Sequence, residues 1–188
     1  MTDDLEARLA PGRMKTYRGE DRARLTCPAP PLDGTLKGAQ AYVDRITRSA
    51  WWGRTCRPSV LGQVERYCLN REVPERIMVR ESRGGRGSAS YGRHEYRTKW
   101  LPQITLGVKR GDDLDWVDGW TRAIEDPYVV LHEVAHIMAA CHGGENGHGR
   151  VFRWHMVGLV RRWLGPDHAR ALTQGYEAEG LKWRKPKT

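Results

Sequence analysis

The chemistry-bearing residues of this chain gather in Asp126-Pro127-Tyr128-Val129-Val130-Leu131-His132-Glu133-Val134-Ala135-His136-Ile137-Met138-Ala139-Ala140-Cys141. The spacing H-E-x-x-H lets one helix face offer two imidazoles to a zinc ion and hold a carboxylate beside them. At about 100° per residue, positions i and i+4 lie about 40° and one turn apart, so His132 and His136 can reach a single metal. Glu133 stands next to them, where it could take a proton from water. The chemistry implied is hydrolysis of an amide: a zinc ion lowers the pKa of bound water to about 7 and polarises a carbonyl, and the Glu moves the proton. A helix must hold these groups. Asp126 suits its N-cap, Pro127 its first position, and Gly143-Gly144 its end. The flanking positions are apolar nearly all round, which predicts burial, and three titratable groups are costly there unless paired or metal-bound.

A catalytic zinc site takes three protein ligands and leaves one position open. Four residues after His136 could supply the third. His142 gives the spacing H-x3-H-x5-H of metzincins, but that pattern needs Gly where Ala139 stands, and no Met-turn follows. Glu145 lies in a turn-rich connector, whereas gluzincins draw their Glu from a later helix. His148, in Gly147-His148-Gly149-Arg150-Val151-Phe152, opens the next helix, whose return across the motif helix would aim it at the metal. His155 is deeper in that helix and could contact substrate or the zinc-bound water instead. His148 is the favoured ligand, with the others as alternatives. An oxyanion donor is also required, and His155 and Tyr176 are the candidates, against the plainer reading that Tyr176 only fills core.

His132-Glu133-x-x-His136 followed by Gly147-His148-Gly149-x-x-Phe152 resembles the SprT-like zincins, in which the His of an H-G-x-x-F element is the third ligand. The similarity extends toward a small family of metallohydrolases from actinobacteria and their phages, through the Tyr42 to Trp52 helix, the strand ending Ser88-Ala89-Ser90, and the two motif helices, over roughly residues 15 to 165. The resemblance implies that His132, His136 and His148 bind zinc and that Glu133 is the general base. It also implies a compact α+β zincin-like domain, a small twisted sheet with the H-E-x-x-H helix and following helices. SprT-like proteases usually continue into a Cys-rich zinc ribbon, which this chain lacks. Crosslink repair is therefore not implied, even where peptide hydrolysis is.

The remaining elements follow from periodicity. Residues 1–35 mix charge with Cys27-Pro28-Ala29-Pro30-Pro31 and show no sustained period, so they read as a poorly ordered arm with at most a short helix. Residues 36–180 form the metallohydrolase domain and 181–188 a basic tail. Within the domain, helices are expected from Gly38 to Trp52, from Val60 to Asn70, from Arg150 to Leu164 and from about Asp167 to Glu179. Strands are expected over Arg76–Arg80, Gly87–Gly92 and Pro102–Val108. The Arg83-Gly84-Gly85-Arg86-Gly87 piece reads as a hairpin turn in preference to a phosphate cradle or an RNA-binding element. The aspartates between Gly107 and Gly119 depart from the calcium-loop pattern and read as a solvated loop.

A length of 188 residues fits one domain with a real core, to which eight Trp and seven Tyr bring bulk. Four cysteines without framework spacing read as free thiols in a reducing compartment. The acidic N-terminus is unlike a signal peptide, and no apolar run is long enough for a membrane, so a cytoplasmic protein without membrane contact is expected. The expected partner is a peptide or protein substrate. A formal charge of +9, rich in Arg, adds weak non-specific nucleic-acid binding, with Trp183 in the tail stacking on unpaired bases. Small residues from Gly87 to Ser90 would let an extended peptide add itself to that strand. The competing reading is a non-catalytic zincin-like module that holds nucleic acid or protein, against which the intact Glu133 argues.

Overall fold

The structure is a computed structural model that describes residues 12–52, 54–55, 77–82, 88–93, 100–107, 124–141 and 147–184. Helix α1 (Arg13–Thr26) and helix α2 (Leu36–Thr47) precede strands β1 (Met78–Ser82), β2 (Ser88–Arg93) and β3 (Trp100–Gly107). Three helices follow: α3 (Pro127–Cys141), α4 (Arg150–Trp163) and α5 (Pro166–Ala178). The described strands make one three-stranded sheet in the order β1-β3-β2, with β1 parallel and β2 antiparallel to β3. Helix-rich α+β architecture is thus as expected, with the sheet built before the motif helix.

Helix α3 forms the middle of the core. Val130, Leu131, Val134, Ala135 and Met138 are all fully buried, because the helix packs on α2, on the sheet and on α4. Asp126 caps it, its carboxylate accepting from the Tyr128 N–H at 2.8 Å, and Pro127 takes the first helical position, where a missing N–H costs nothing. Ile104 and Leu106 of β3 and Val79 of β1 meet α2 and α3 from the sheet. Thr35 caps α2 by accepting from the Gly38 N–H, and Gln40 of α2 ties that helix to the sheet through the Ile77 carbonyl and the Val79 N–H.

Residues 1–11 of the expected arm lie outside the described residues, and the part from residue 12 on is more ordered than expected. Residues 13–26 form a full helix, α1, packed along α5. Its buried residues are Thr16, Gly19, Glu20 and Ala23, a helical stripe without a large apolar side chain. Burial is possible because two glycines let the backbones touch: a Cβ on Gly175 of α5 would collide with the Gly19 carbonyl. Gly12, at φ 95°, occupies the left-handed conformation that starts the helix. Polar grip adds to this contact, with Arg18 and Arg22 both pairing with Glu179 at 3.1 and 3.0 Å.

The start of the tail also docks. Trp183 lies half-buried against the core, and its indole N–H donates to Glu177 at 3.1 Å. Leu181 N–H meets the Tyr176 carbonyl at 2.8 Å. Trp183 is therefore held against the fold on one side. Cys27 carries a free thiol. No described helix is long and apolar enough to cross a membrane. The helix expected at 60–70, the hairpin at 83–87, the aspartate loop after Gly107, His142, Glu145 and residues 185–188 lie outside the described residues.

Candidate metal centre

Two helices deliver the three histidines. His132 and His136 project from one face of α3, and His148 stands two residues before α4, where Gly149 in extended conformation lets the chain turn into the helix. Phe152, one turn into α4, packs beside all three imidazoles at centroid distances of 4.8, 4.4 and 4.8 Å. The Gly-His-Gly-x-x-Phe spacing thus has a packing reason: the ring that follows His148 forms an apolar floor for the cluster.

The nitrogens converge. His132 Nε2 lies 3.2 Å from His136 Nε2 and 2.9 Å from His148 Nε2. Among the described residues these three form the group able to hold a metal ion. On its other side His132 Nδ1 meets Glu20 Oε2 at 2.8 Å. With a carboxylate as acceptor Nδ1 carries a hydrogen, and in the neutral ring this leaves the Nε2 lone pair facing its two neighbours. Burial, reinforced by the charge of His132, pushes His136 down to about 3 and His148 to about 2, so both rings are neutral near physiological pH. With the three rings neutral, their lone pairs could share one cation. Tetrahedral zinc with Zn–N bonds of about 2.0–2.1 Å needs nitrogens about 3.3–3.4 Å apart, and the observed spacings approach this. The donor set fits zinc.

Glu133 is buried, and burial pushes its carboxyl up to about 7, against the opposing pull of His132. A carboxyl poised near neutrality suits proton transfer. Glu20, of α1, has the opposite balance. Burial would raise it, but the charge and hydrogen bond of His132 outweigh burial and hold it below the usual carboxylate range. His132 is raised by that pairing although burial opposes it.

Tyr176 is not at the mouth of this centre. It is fully buried, and its hydroxyl donates to Glu20 Oε1 at 2.9 Å. Its proton is committed to a carboxylate and cannot reach a substrate oxyanion. His155 is likewise buried, its ring 4.4 Å from that of Trp154, and it lies outside the three-histidine group.

Sequence reading missed four residues around the centre. Glu20 holds His132, and Tyr17 lays its ring over His132 at 5.6 Å and against His148 at 4.9 Å. Arg13 Nε donates to the Tyr17 oxygen at 3.2 Å. Arg153 of α4 donates to the His148 carbonyl and, at 2.9 Å, to that of Lys182, so it ties the third histidine to the C-terminal segment. The available signal was faint: Arg13, Tyr17 and Glu20 recur at helical spacing, but no apolar stripe accompanies them. Compared with family models, curated proteins and solved structures, the chain matches none.

Proposed function

We propose that this chain is a zinc-dependent hydrolase, a metallopeptidase of the SprT-like kind, with His132, His136 and His148 as zinc ligands and Glu133 as general base. The observation that carries the reading is the convergence of three imidazole Nε2 atoms, with the buried Glu133 next to His132 on the same helix. Held by these three histidines, zinc would supply an activated water and polarise the scissile carbonyl. Glu133 accepts the proton from the attacking water at its carboxylate and delivers it to the leaving amine. Phe152 and Tyr17 wall the rings on two sides and limit the water around them.

Tyr17 replaces Tyr176 as the oxyanion donor in this reading. Arg13 donates to the Tyr17 oxygen, so the hydroxyl keeps its own proton to give, and among the described residues no acceptor takes it. Burial keeps the phenol protonated, since it raises Tyr17 against the opposing hydrogen bond from Arg13. The substrate is read as an extended peptide added to β2. That strand is one of the two outer strands among those described, and it also contacts α3. Main-chain pairing at such an edge favours unfolded segments over folded ones.

The test is hydrolysis of an unfolded protein by the zinc-loaded enzyme and by Glu133→Gln. The amide keeps the shape of the carboxylate but cannot accept the proton, so the variant should retain zinc and fold and lose turnover. Equal turnover by the two proteins would remove Glu133 from the chemistry.

A further inference from the structure

We propose that the N-terminal helix is a working part of the metal centre, with Glu20 as the residue that positions His132 and Tyr176 as the group that positions Glu20. This rests on the zinc site proposed above. The carboxylate is 1% exposed, and both of its oxygens are used: Oε2 meets His132 Nδ1 at 2.8 Å and Oε1 accepts from the Tyr176 hydroxyl at 2.9 Å. A metal-ligating imidazole has two nitrogens, and the hydrogen bond made by one decides what the other can do. Here Glu20 keeps hydrogen on Nδ1, fixes the ring plane, and leaves Nε2 as a lone pair aimed at His136 and His148. Its negative charge also makes that lone pair a better donor to a cation.

The rest of α1 serves the same purpose. Thr16, one turn before Glu20, is fully buried with its hydroxyl 3.5 Å from the His148 carbonyl. Tyr17 lies on the rings themselves. The helix can come this close because Gly19 meets Gly175, the residue before Tyr176, backbone to backbone. A bulkier crossing would lift Glu20 away from both of its partners. One helix thus places a carboxylate behind one ligand and an aromatic ring over two. That stripe of polar and small residues makes sense as a wall of the site and little sense as an ordinary core face.

The test measures zinc affinity of the full chain by competition with a chromophoric chelator, alongside the thermal midpoint of the metal-free protein and the visible spectrum after Co2+ substitution. In Glu20→Gln the side-chain oxygen can still accept from Nδ1 and the amide can still face Tyr176, so the contacts survive without the charge. Zinc affinity should fall about 10–100-fold, with a shifted Co2+ spectrum. Glu20→Asp, which keeps the charge and loses reach, should fall between that variant and wild type. A Glu20→Gln protein that binds zinc as wild type does, or one whose thermal midpoint alone drops, overturns the proposal and leaves Glu20 as packing. Should Glu20→Gln fail to fold, Tyr176→Phe decides: several-fold weaker zinc supports the proposal, and wild-type affinity overturns it. A wild-type chain that binds no zinc fails earlier, and takes down the functional reading together with this one.

Discussion

Tyr176 and Tyr42 invite the same substitution with opposite outcomes. Both are buried tyrosines, at 0% and 7% exposure. The Tyr176 hydroxyl donates at 2.9 Å to the buried carboxylate of Glu20. Tyr176→Phe removes a charge-assisted bond and leaves Glu20 Oε1 without its donor, a loss of about 1.5–3 kcal/mol. At about 2–4 °C per kcal/mol for a chain of this size, the midpoint should drop by roughly 3–12 °C. The Tyr42 hydroxyl is buried with no hydrogen-bond partner among the described residues. Tyr42→Phe therefore removes a desolvated oxygen that nothing compensates and should be neutral or slightly stabilising. Ring volume is nearly unchanged in both, and the Arg45 guanidinium, 5.1 Å from the Tyr42 ring centroid, keeps its aromatic partner. Thermal and urea unfolding of metal-free protein, with chelator present, separates the two. Equal shifts in the two variants, or a larger loss in Tyr42→Phe, would refute the reasoning that satisfied bonding, rather than burial, decides the cost.

Three further outcomes are expected. Tyr17→Phe should lower turnover by about 10²–10³, the usual cost of one oxyanion donor, with zinc affinity unchanged; wild-type turnover would remove Tyr17 from the oxyanion site. Metal-free protein should lose stability on acidification below pH 6.5, because His136 at about 3 and His148 at about 2 stay neutral when folded and take up protons when unfolded. Those two groups give a slope of about 2.7 kcal/mol per pH unit. Glu133, raised to about 7, opposes them by about half between pH 6.5 and 4.5, where the folded carboxyl is protonated and the unfolded one is not. Glu133→Gln should therefore roughly double the slope measured by denaturant titration across that window, and an unchanged slope would contradict the assigned shifts. His132 and Glu20 are silent there, because the raised His is protonated in both states below 6.5 and the lowered Glu ionised in both above 4.5. Along β2, adjacent N–H groups point to opposite sides, so one of Ser88→Pro and Ala89→Pro removes an outward donor without cutting the ladder to β3. That variant should keep its zinc and lose cleavage of unfolded protein, whereas unmodified rates in both would sink the edge-strand reading.

The sequence carried the motif half of the centre openly. Asp126, Pro127 and the unbroken apolar run of α3 specify a buried helix, and the i, i+4 histidines need no other information to share a face. The helices that follow the motif helix and strands β1 and β3 were legible for the same reason, since their apolar residues report the face that packs. Boundaries slipped by a few residues, as in α2, which ends at Thr47 where the pattern suggested continuation to Trp52. Helix α1 was illegible because its buried stripe is Thr16, Gly19, Glu20 and Ala23, residues that periodicity of hydrophobicity does not register. The pairing of Glu20 with His132 spans 112 positions, so no local pattern could reveal it. Gly175 inside a helix was the remaining hint, since a mid-helix glycine is costly unless a neighbour approaches closely. Tyr176 shows how a correct element can carry a wrong role: α5 was expected, but only tertiary packing reveals that its phenol points at a carboxylate.

The central claim is the identity of the third ligand, and metal content of purified variants tests it most directly. The wild-type chain should hold one zinc per molecule, His148→Ala should lose tight binding, and His142→Ala should keep it. Full zinc in His148→Ala together with loss in His142→Ala would contradict the centre described above.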